Sequence, residues 1–542
     1  MQIDFEFMSR RSSVLSTRGA IATSHPLAAQ AGAGVLRDGG NAADAAIAAA
    51  AMLCVVEPVS NGIGGDCFAL YFDAKTRQVT ALNGSGRSAY GADADSLRAA
   101  GYRDMPKFTG AAVTVPGVAR GWSDLNARHG SMPLAALLAP AIDIAETGFP
   151  VTEWIARAWD QSRKKLRRDP DWNSGDKDNG PEQASGHELL IEGRAPRFGE
   201  VMRLPTMAGT LRGIAEGGAD FIYTGEFARN AAAHVQHYGG WLTERDFADH
   251  RSEWPQPLTI DYRGVRLYEC PPNGQGISAL IACGLADMAA LTEMRAPERV
   301  AYLVDCMRVA MGEAESRVFD AGFDVSGLWP LDEPFFDQIR KKLSVSQAYT
   351  GYVFGPKGND TVYLSVVDGA GNACSWIQSC YMGTGTGLVV PGTGVSLQNR
   401  GNGFSLDAQH RNHLAPHKRP FHTIIPAMTT RDGDLHACFG VMGGHMQPQG
   451  HFQVLTHLLN GLTPQAALDA PRWQLVGRDA RLMIEPGLPN DVVQGLMTSG
   501  YLLEKVEGFD RIHMGGGQLI VKQGDVLIAG SDPRKDGCAV GL

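Results

Sequence analysis

The chain has no excess of basic residues. Its 49 Lys and Arg stand against 58 Asp and Glu, for a net charge of -9, and the basic side chains are scattered. That balance argues against a nucleic-acid partner. No stretch is long and apolar enough to span a membrane. The opening Met1-Gln2-Ile3-Asp4-Phe5-Glu6-Phe7 carries acids where a signal peptide needs an apolar run. The nine cysteines contain no C-x-x-C pair and no zinc spacing. They sit in apolar surroundings, as in Leu53-Cys54-Val55 and Ala282-Cys283-Gly284, and read as reduced, buried thiols of a cytoplasmic protein. Gly62-Ile63-Gly64-Gly65 lacks the lysine and the strand-before, helix-after setting of a phosphate loop, so it reads as a tight turn into a core strand.

What is present is an ordinary globular composition, 44% hydrophobic and 20% charged, in 542 residues, enough for a large core. His25-Pro26-Leu27 opens a helix to about Leu36. Asn41 caps a second, alanine-rich helix to about Val55, which Glu57-Pro58 stops. Cys67–Phe72 and Val79–Leu82 read as a hairpin, followed by Arg87 beside flexible backbone. Amphipathic helices run to about Asp160. The basic run Arg163-Lys164-Lys165-Leu166-Arg167-Arg168 reads as a solvated face. Further helices are expected over Pro297–Phe319 and Phe335–Leu343, and strands near Gln518–Ile520 and Val526–Ile528. The Gly443-Gly444 bend precedes a helix expected from Gln453 to Leu459. Backbone N–H groups at such a bend can hold an anion.

One stretch organises the rest. Gly358-Asn359-Asp360 is a polar loop that runs into Thr361 and an alternating, β-branched run to Asp368. Asp368-Gly369-Ala370-Gly371-Asn372 then turns the chain into a return strand, Ala373–Ser379. Thr361 has two readings. It is a β-branched residue opening a strand, or it is an N-terminal nucleophile exposed when the chain cuts itself before it.

The ordered blocks Ser24-His25-Pro26-Leu27-Ala28, Gly39–Ala45, Glu57-Pro58 with Gly62–Gly65, Pro271-Pro272, Ser365–Asp368, Lys418-Arg419-Pro420, Gly443-Gly444 and Ser531-Asp532-Pro533-Arg534 decide between them. In that order, across nearly the whole chain, they resemble the gamma-glutamyltransferase family. Gln398–Gly401, Phe421-His422-Thr423 and Met446–His451 resemble the bacterial branch that shades into cephalosporin acylases and oxamate amidohydrolases. The resemblance implies an α+β fold, the four-layer αββα sandwich of N-terminal-nucleophile hydrolases. It implies a precursor cut into a large chain, 1–360, and a small catalytic chain, 361–542, together one composite domain, with a dimer of such pairs as a candidate assembly.

The resemblance also assigns roles. Thr361 is the nucleophile, and its freed α-amine is the base. Ser379 stands where the family has a threonine that hydrogen-bonds the nucleophile, and Gly443 and Gly444 form the oxyanion hole. Arg87, Tyr381, Asn399, Arg400, His422 and Thr423 are expected to face a small amide substrate. His445 reads equally well as a substrate contact or as an ordinary histidine. Ser85, Tyr381, Arg400 and Gly403 occupy the places where family members clamp a gamma-glutamyl donor. The clamp's arginine is therefore missing, with Arg87 two residues on as a substitute, and its acid is a glycine. A carboxylate-bearing acyl group without an α-ammonium is expected to fit better. No metal or cofactor is expected, and neither H-x-H nor H-E-x-x-H supports a metal-dependent amidohydrolase. The alternatives are a true gamma-glutamyltransferase or glutathione hydrolase, and an uncleaved, non-catalytic homologue. The interval from Phe404 to Lys418 is short where family members with a lid carry an insertion, so an open cleft is expected.

Overall fold

Asn41 begins the part of the molecule on which the site rests. Its side chain accepts the N–H groups of Ala43 and Asp44, and Asp44 answers by accepting the N–H of Asn41. This reciprocal cap starts α2 (Ala42–Val56), which follows α1 (Pro26–Arg37). Alanine's lack of side-chain entropy favours the helix. Its small size lets α2 lie against a sheet with every residue buried.

The computed structural model describes residues 11–169, 186–320, 331–343, 360–477 and 481–542. Thirteen strands of these residues make two large sheets. They are β1 (Val14–Ser16), β2 (Gly19–Thr23), β3 (Asp66–Asp73), β4 (Gln78–Asn83), β5 (Leu258–Tyr262), β6 (Val265–Glu269), β7 (Val362–Asp368), β8 (Ala373–Ser379), β9 (Ala427–Arg431), β10 (Asp434–Met442), β11 (Gly516–Gln523), β12 (Val526–Ser531) and β13 (Cys538–Gly541). One sheet has the order β13-β2-β7-β8-β3-β4, the other β1-β12-β11-β10-β9-β6-β5, and every pairing in both is antiparallel. The sheets meet through β7 and β2 against β10, β11 and β12. α1 and α2 pack on the six-stranded sheet. α4 (Gly276–Asp287) and α5 (Met446–Leu459) pack on the seven-stranded one, and α3 (Glu153–Arg167) lies earlier in the chain. Buried on both sides, β7 and β8 are continuous hydrophobic runs with a few inward hydroxyls. Both sheets combine strands from before and after position 361.

Two sequence expectations change here. α5 starts at Met446 rather than Gln453, directly after the glycine bend, with Pro448 in its first turn, where proline is tolerated. The basic run Arg163–Arg168 is not a wholly solvated face, because Lys165 and Arg168 are buried. All nine cysteines are unpaired, and eight are buried. Among the described residues no helix is long and apolar enough to cross a membrane.

A buried charge cluster ties down the end of the chain. Asp532 accepts from Arg472 Nη2 (2.6 Å), Arg534 Nη1 (3.1 Å) and the Gly517 N–H (2.8 Å). Glu485 pairs with Arg534 and accepts from Arg511 Nε (2.8 Å). Removing one partner strands buried charge, so Asp532→Ala should cost about 3–5 kcal/mol. The expected readout is a lower urea midpoint with an unchanged slope.

Candidate active site

Register sets the first contact. Val362 pairs with Gln378 across β7 and β8, so Thr361 and Ser379 stand side by side just beyond the last pair. Thr361 Oγ1 donates to Ser379 Oγ (3.1 Å), and Ser379 Oγ also accepts the N–H of Tyr381 (2.9 Å). Gly65 lies so close that a Cβ there would sit 2.3 Å from the Ser379 carbonyl oxygen, which is why this turn needs glycine. Thr361 has φ +157 and Tyr381 φ +79, so two of the eight positive-φ, non-glycine conformations among the described residues lie on either side of Ser379 Oγ. Lys535 Nζ donates to the Thr361 carbonyl (3.1 Å) and pairs with Glu57, whose Oε2 accepts from Ser24 Oγ (2.6 Å).

The glycine bend comes from the facing sheet. Ser365 Oγ donates to the Cys438 carbonyl (3.1 Å), and Gly440 lies beneath the Tyr363 ring. Continued in steps of two along both strands, this facing leads from Thr361 toward the end of β10, where Gly443 and Gly444 follow. Both glycines have positive φ, at +132 and +61. Among the described residues neither of their N–H groups makes a hydrogen bond. Two unused amides at a helix start suit a developing oxyanion.

A third group closes the site. Arg400 is fully buried, stacks on the Tyr381 ring (4.2 Å to its centroid) and donates through Nη1 to Thr423 Oγ1 (2.9 Å). Its Nε and Nη2 have no hydrogen-bond partner, and no carboxylate among the described residues pairs with it. Burial lowers its pKa to about 10. Gln275 Nε2 joins the Thr423 and Gly444 carbonyls (2.6 and 2.9 Å), linking this side of the site to the glycine bend. The His445 ring stacks on Phe421, and burial, with Arg400 nearby, lowers its pKa to about 4.

The other expected pocket residues are occupied elsewhere. Arg87 is held by Glu253, Asp320 and the His417 carbonyl. Asn399 bridges the Met382 N–H and the Lys107 carbonyl. Ser85 is buried against Asn83 and Asn273. His422 is also buried. Its Nδ1 accepts the Ile424 N–H (3.3 Å), so Nε2 carries the hydrogen donated to Asp66 Oδ2 (3.0 Å). With both ring nitrogens used, this Asp–His pair has no free site for a proton from substrate. The nucleophile itself is 1% exposed in the uncut chain, so the open cleft expected from the short 404–418 interval does not reach it. Phe404, Leu406 and Leu414 of that interval pack instead on Leu97, Met105 and Ala111. Asp360, Tyr381, Gly444 and His445 are partly exposed.

Asp66, Gln275, Lys165, Lys535 and Glu57 are site residues the sequence reading did not select. The one signal for Asp66 is its place directly after the glycine turn. Among the described residues no cluster of three or more His, Cys, Asp or Glu could hold a metal ion.

Comparison with known proteins places the chain among relatives. The family described as Gamma-glutamyltranspeptidase matches residues 28–542. The chain is 35% identical to the glutathione hydrolase-like YwrD proenzyme of Bacillus subtilis, over 98% of this chain and 99% of that protein. It is 35% identical to the oxamate amidohydrolase proenzyme of Klebsiella pneumoniae, with the same shares of the two chains covered. A crystal structure of cephalosporin acylase from Bacillus halodurans superposes with a TM-score of 0.90 at 41% identity, covering 99% of this chain and 98% of that one.

The buried Asp66–His422 pair sets an acid limit. Burial, with Arg400 nearby, lowers the His422 pKa to about 4 against the pull of Asp66. The unfolded chain takes up a proton near pH 6.5 that the native chain refuses until about pH 4. Stability is therefore full above pH 6.5 and is lost as pH falls from there to 4, by roughly 3 kcal/mol. His422→Gln should remove about that much of the difference between the unfolding free energies that urea titrations give at pH 7 and pH 4.

Proposed function

The chain belongs to the gamma-glutamyltranspeptidase family, and on that premise we propose that it is a self-processing amide hydrolase with Thr361 as nucleophile and a carboxylate-bearing acyl group in its substrate. As a member of that family it is an amidohydrolase made as a proenzyme. Helices outside two facing sheets fit the four-layer αββα arrangement of N-terminal-nucleophile hydrolases.

In this reading the precursor is cut between Asp360 and Thr361 into large and small chains. The cut frees an α-amine on Thr361 with a reference pKa of roughly 7.7–8.0, suited to accept the hydroxyl proton near neutral pH. The hydroxyl attacks the substrate carbonyl while Ser379 Oγ orients it. The N–H groups of Gly443 and Gly444 receive the oxyanion, each worth roughly 3 kcal/mol in the transition state. Collapse expels the amine and leaves an ester on Thr361, which water hydrolyses.

The observation that carries the substrate class is Arg400, a buried guanidinium with two unpartnered nitrogens, one side chain away from Ser379 by way of Tyr381. A carboxylate would satisfy it with a charge-assisted, bidentate pair. An α-ammonium would meet a like charge. Asp66, the nearby acid, is already taken by the Gly86 N–H, Gln398 and His422. Oxamate, an amide joined to a carboxylate, and glutaryl amides have the required chemistry. A glutathione hydrolase activity like that in the names of other relatives would need an anion for the ammonium, where this chain has Gly403.

Two outcomes test this reading. Thr361→Ala should run as one full-length band, while the wild-type small chain should begin Thr-Val-Tyr-Leu on Edman sequencing. Cleavage that persists in the alanine variant contradicts the assignment. Separately, kcat/KM for glutaryl-p-nitroanilide should exceed that for gamma-glutamyl-p-nitroanilide by about a hundredfold, about 2.7 kcal/mol. Arg400→Met should erase most of that ratio. A gamma-glutamyl donor that is clearly preferred would make this an ordinary gamma-glutamyltransferase.

A further inference from the structure

α5 serves a second space. Its first turn follows the glycine bend, and its later turns wall a cavity of about 330 Å³ that takes no part in the chemistry proposed above. Close packing leaves gaps of about the size of a water molecule. This cavity is far larger and reaches the lower range of small-molecule pockets.

Most of the wall is apolar. Ala286 of α4, Val300 and Leu303 of the helix Ala296–Arg317, Phe452 of α5, Trp473 and Val492 line it. Two buried polar residues on the wall, Gln453 and Thr456, are already answered by protein. Gln453 Nε2 donates to the carbonyls of Gln449 (3.0 Å) and Trp473 (2.9 Å), and its Oε1 accepts the Trp473 N–H (3.0 Å). Thr456 Oγ1 shares a hydrogen bond with the Tyr262 hydroxyl (3.1 Å). An occupant of this space is therefore apolar over most of its length.

The charge on the wall is mainly positive. Arg263 is exposed and Arg299 half-buried. Arg263 Nη1 donates to Asn460 Oδ1 (2.8 Å), and Arg299 Nη1 makes one long bond to the Leu291 carbonyl (3.5 Å). Among the described residues neither guanidinium is in an ion pair. Asp287 is the one acid on the wall, and its Oδ1 accepts the Arg263 N–H (3.0 Å). His457, also on the wall, is neutral at pH 7, because burial, with Arg472 nearby, lowers its pKa to about 4. Two fixed positive charges thus stand against one negative charge.

The geometry points to a second ligand site, which takes a small monocarboxylate with an apolar tail. The tail fills the space between Phe452, Trp473 and Leu303, and its burial drives binding. The carboxylate pairs with Arg299, whose planar fork suits two parallel hydrogen bonds, and is drawn by Arg263. An ammonium head would meet two like charges, and a hydroxyl head would gain no ion pair. The site is distinct from the glycine bend. At 1.5 Å per helical residue, the part of α5 from Phe452 to Asn460 lies roughly 12–24 Å along the helix from Gly444. The inference therefore stands whether or not Thr361 is the nucleophile.

The experiment is isothermal titration of octanoate into the purified full chain at pH 7.5, with octylamine and octan-1-ol as controls. Octanoate should saturate the site, and each control should bind at least tenfold more weakly. Arg299→Met should weaken octanoate at least tenfold, and Ala286→Trp should abolish its binding by filling the cavity. Arg400→Met should still bind octanoate, because this ligand lies outside the proposed substrate pocket. Thermal melting without ligand shows which variants are folded. If Ala286→Trp misfolds, Arg299→Met decides, because its side chain is only half-buried and fills no core. No saturable octanoate binding overturns the site. So does equal binding of either control, wild-type affinity in a folded Arg299→Met, or loss of octanoate binding in Arg400→Met.

Discussion

The structure depends on the register of one hairpin. β7 and β8 pair from Val362 with Gln378 to Val367 with Ala373, and the site is whatever lies one step past the open end. A slip of one residue would send every side chain to the opposite face. It would part Thr361 from Ser379 and expose the runs that α2 and the facing sheet bury. The closed end prevents this. Asp368 accepts the N–H groups of Ala370 and Asn372 within the turn, and its other oxygen accepts the Ala42 N–H at the start of α2. One carboxylate thus locks the turn and the helix that covers it, and the nucleophile's position follows from contacts a strand-length away.

Burial of charge separates scaffold from site. The buried guanidiniums of Arg419, Arg472 and Arg534 each meet a carboxylate: Glu253, Asp532, and Glu485 with Asp532. These pairs fasten loops to sheets. Arg400 is as deeply buried and has a hydroxyl and an aromatic face instead. That contrast with the three paired arginines is the observation on which the proposed substrate class rests.

Much of this was legible in the sequence. β-branched alternation around a Gly-rich turn marks the hairpin, an asparagine followed three residues later by an aspartate marks the α2 cap, and the glycine pair marks the bend. What stayed hidden depends on distance along the chain. Arg87 looked available because Glu253 and Asp320 are far from it in sequence. The Asp66–His422 bond joins residues 356 positions apart. Lys165 was masked by its neighbours, since a run of six basic and apolar residues reads as solvent-facing. The finer signal was the inward stripe of Ile155, Trp159, Ser162 and Leu166, which places Lys165 at its edge.

The sharing of both sheets by strands from either side of position 361 has a mechanical consequence. A chain broken there keeps β2 between β13 and β7, and β8 between β7 and β3. The halves are interlaced, so pulling them apart means stripping interior ladders from both sheets at once. Such a molecule gains a new chain end without gaining a new way to dissociate. Its two pieces would share one melting transition and resist exchange with partners from other copies, and mixing separately made halves would be a folding problem rather than a docking one.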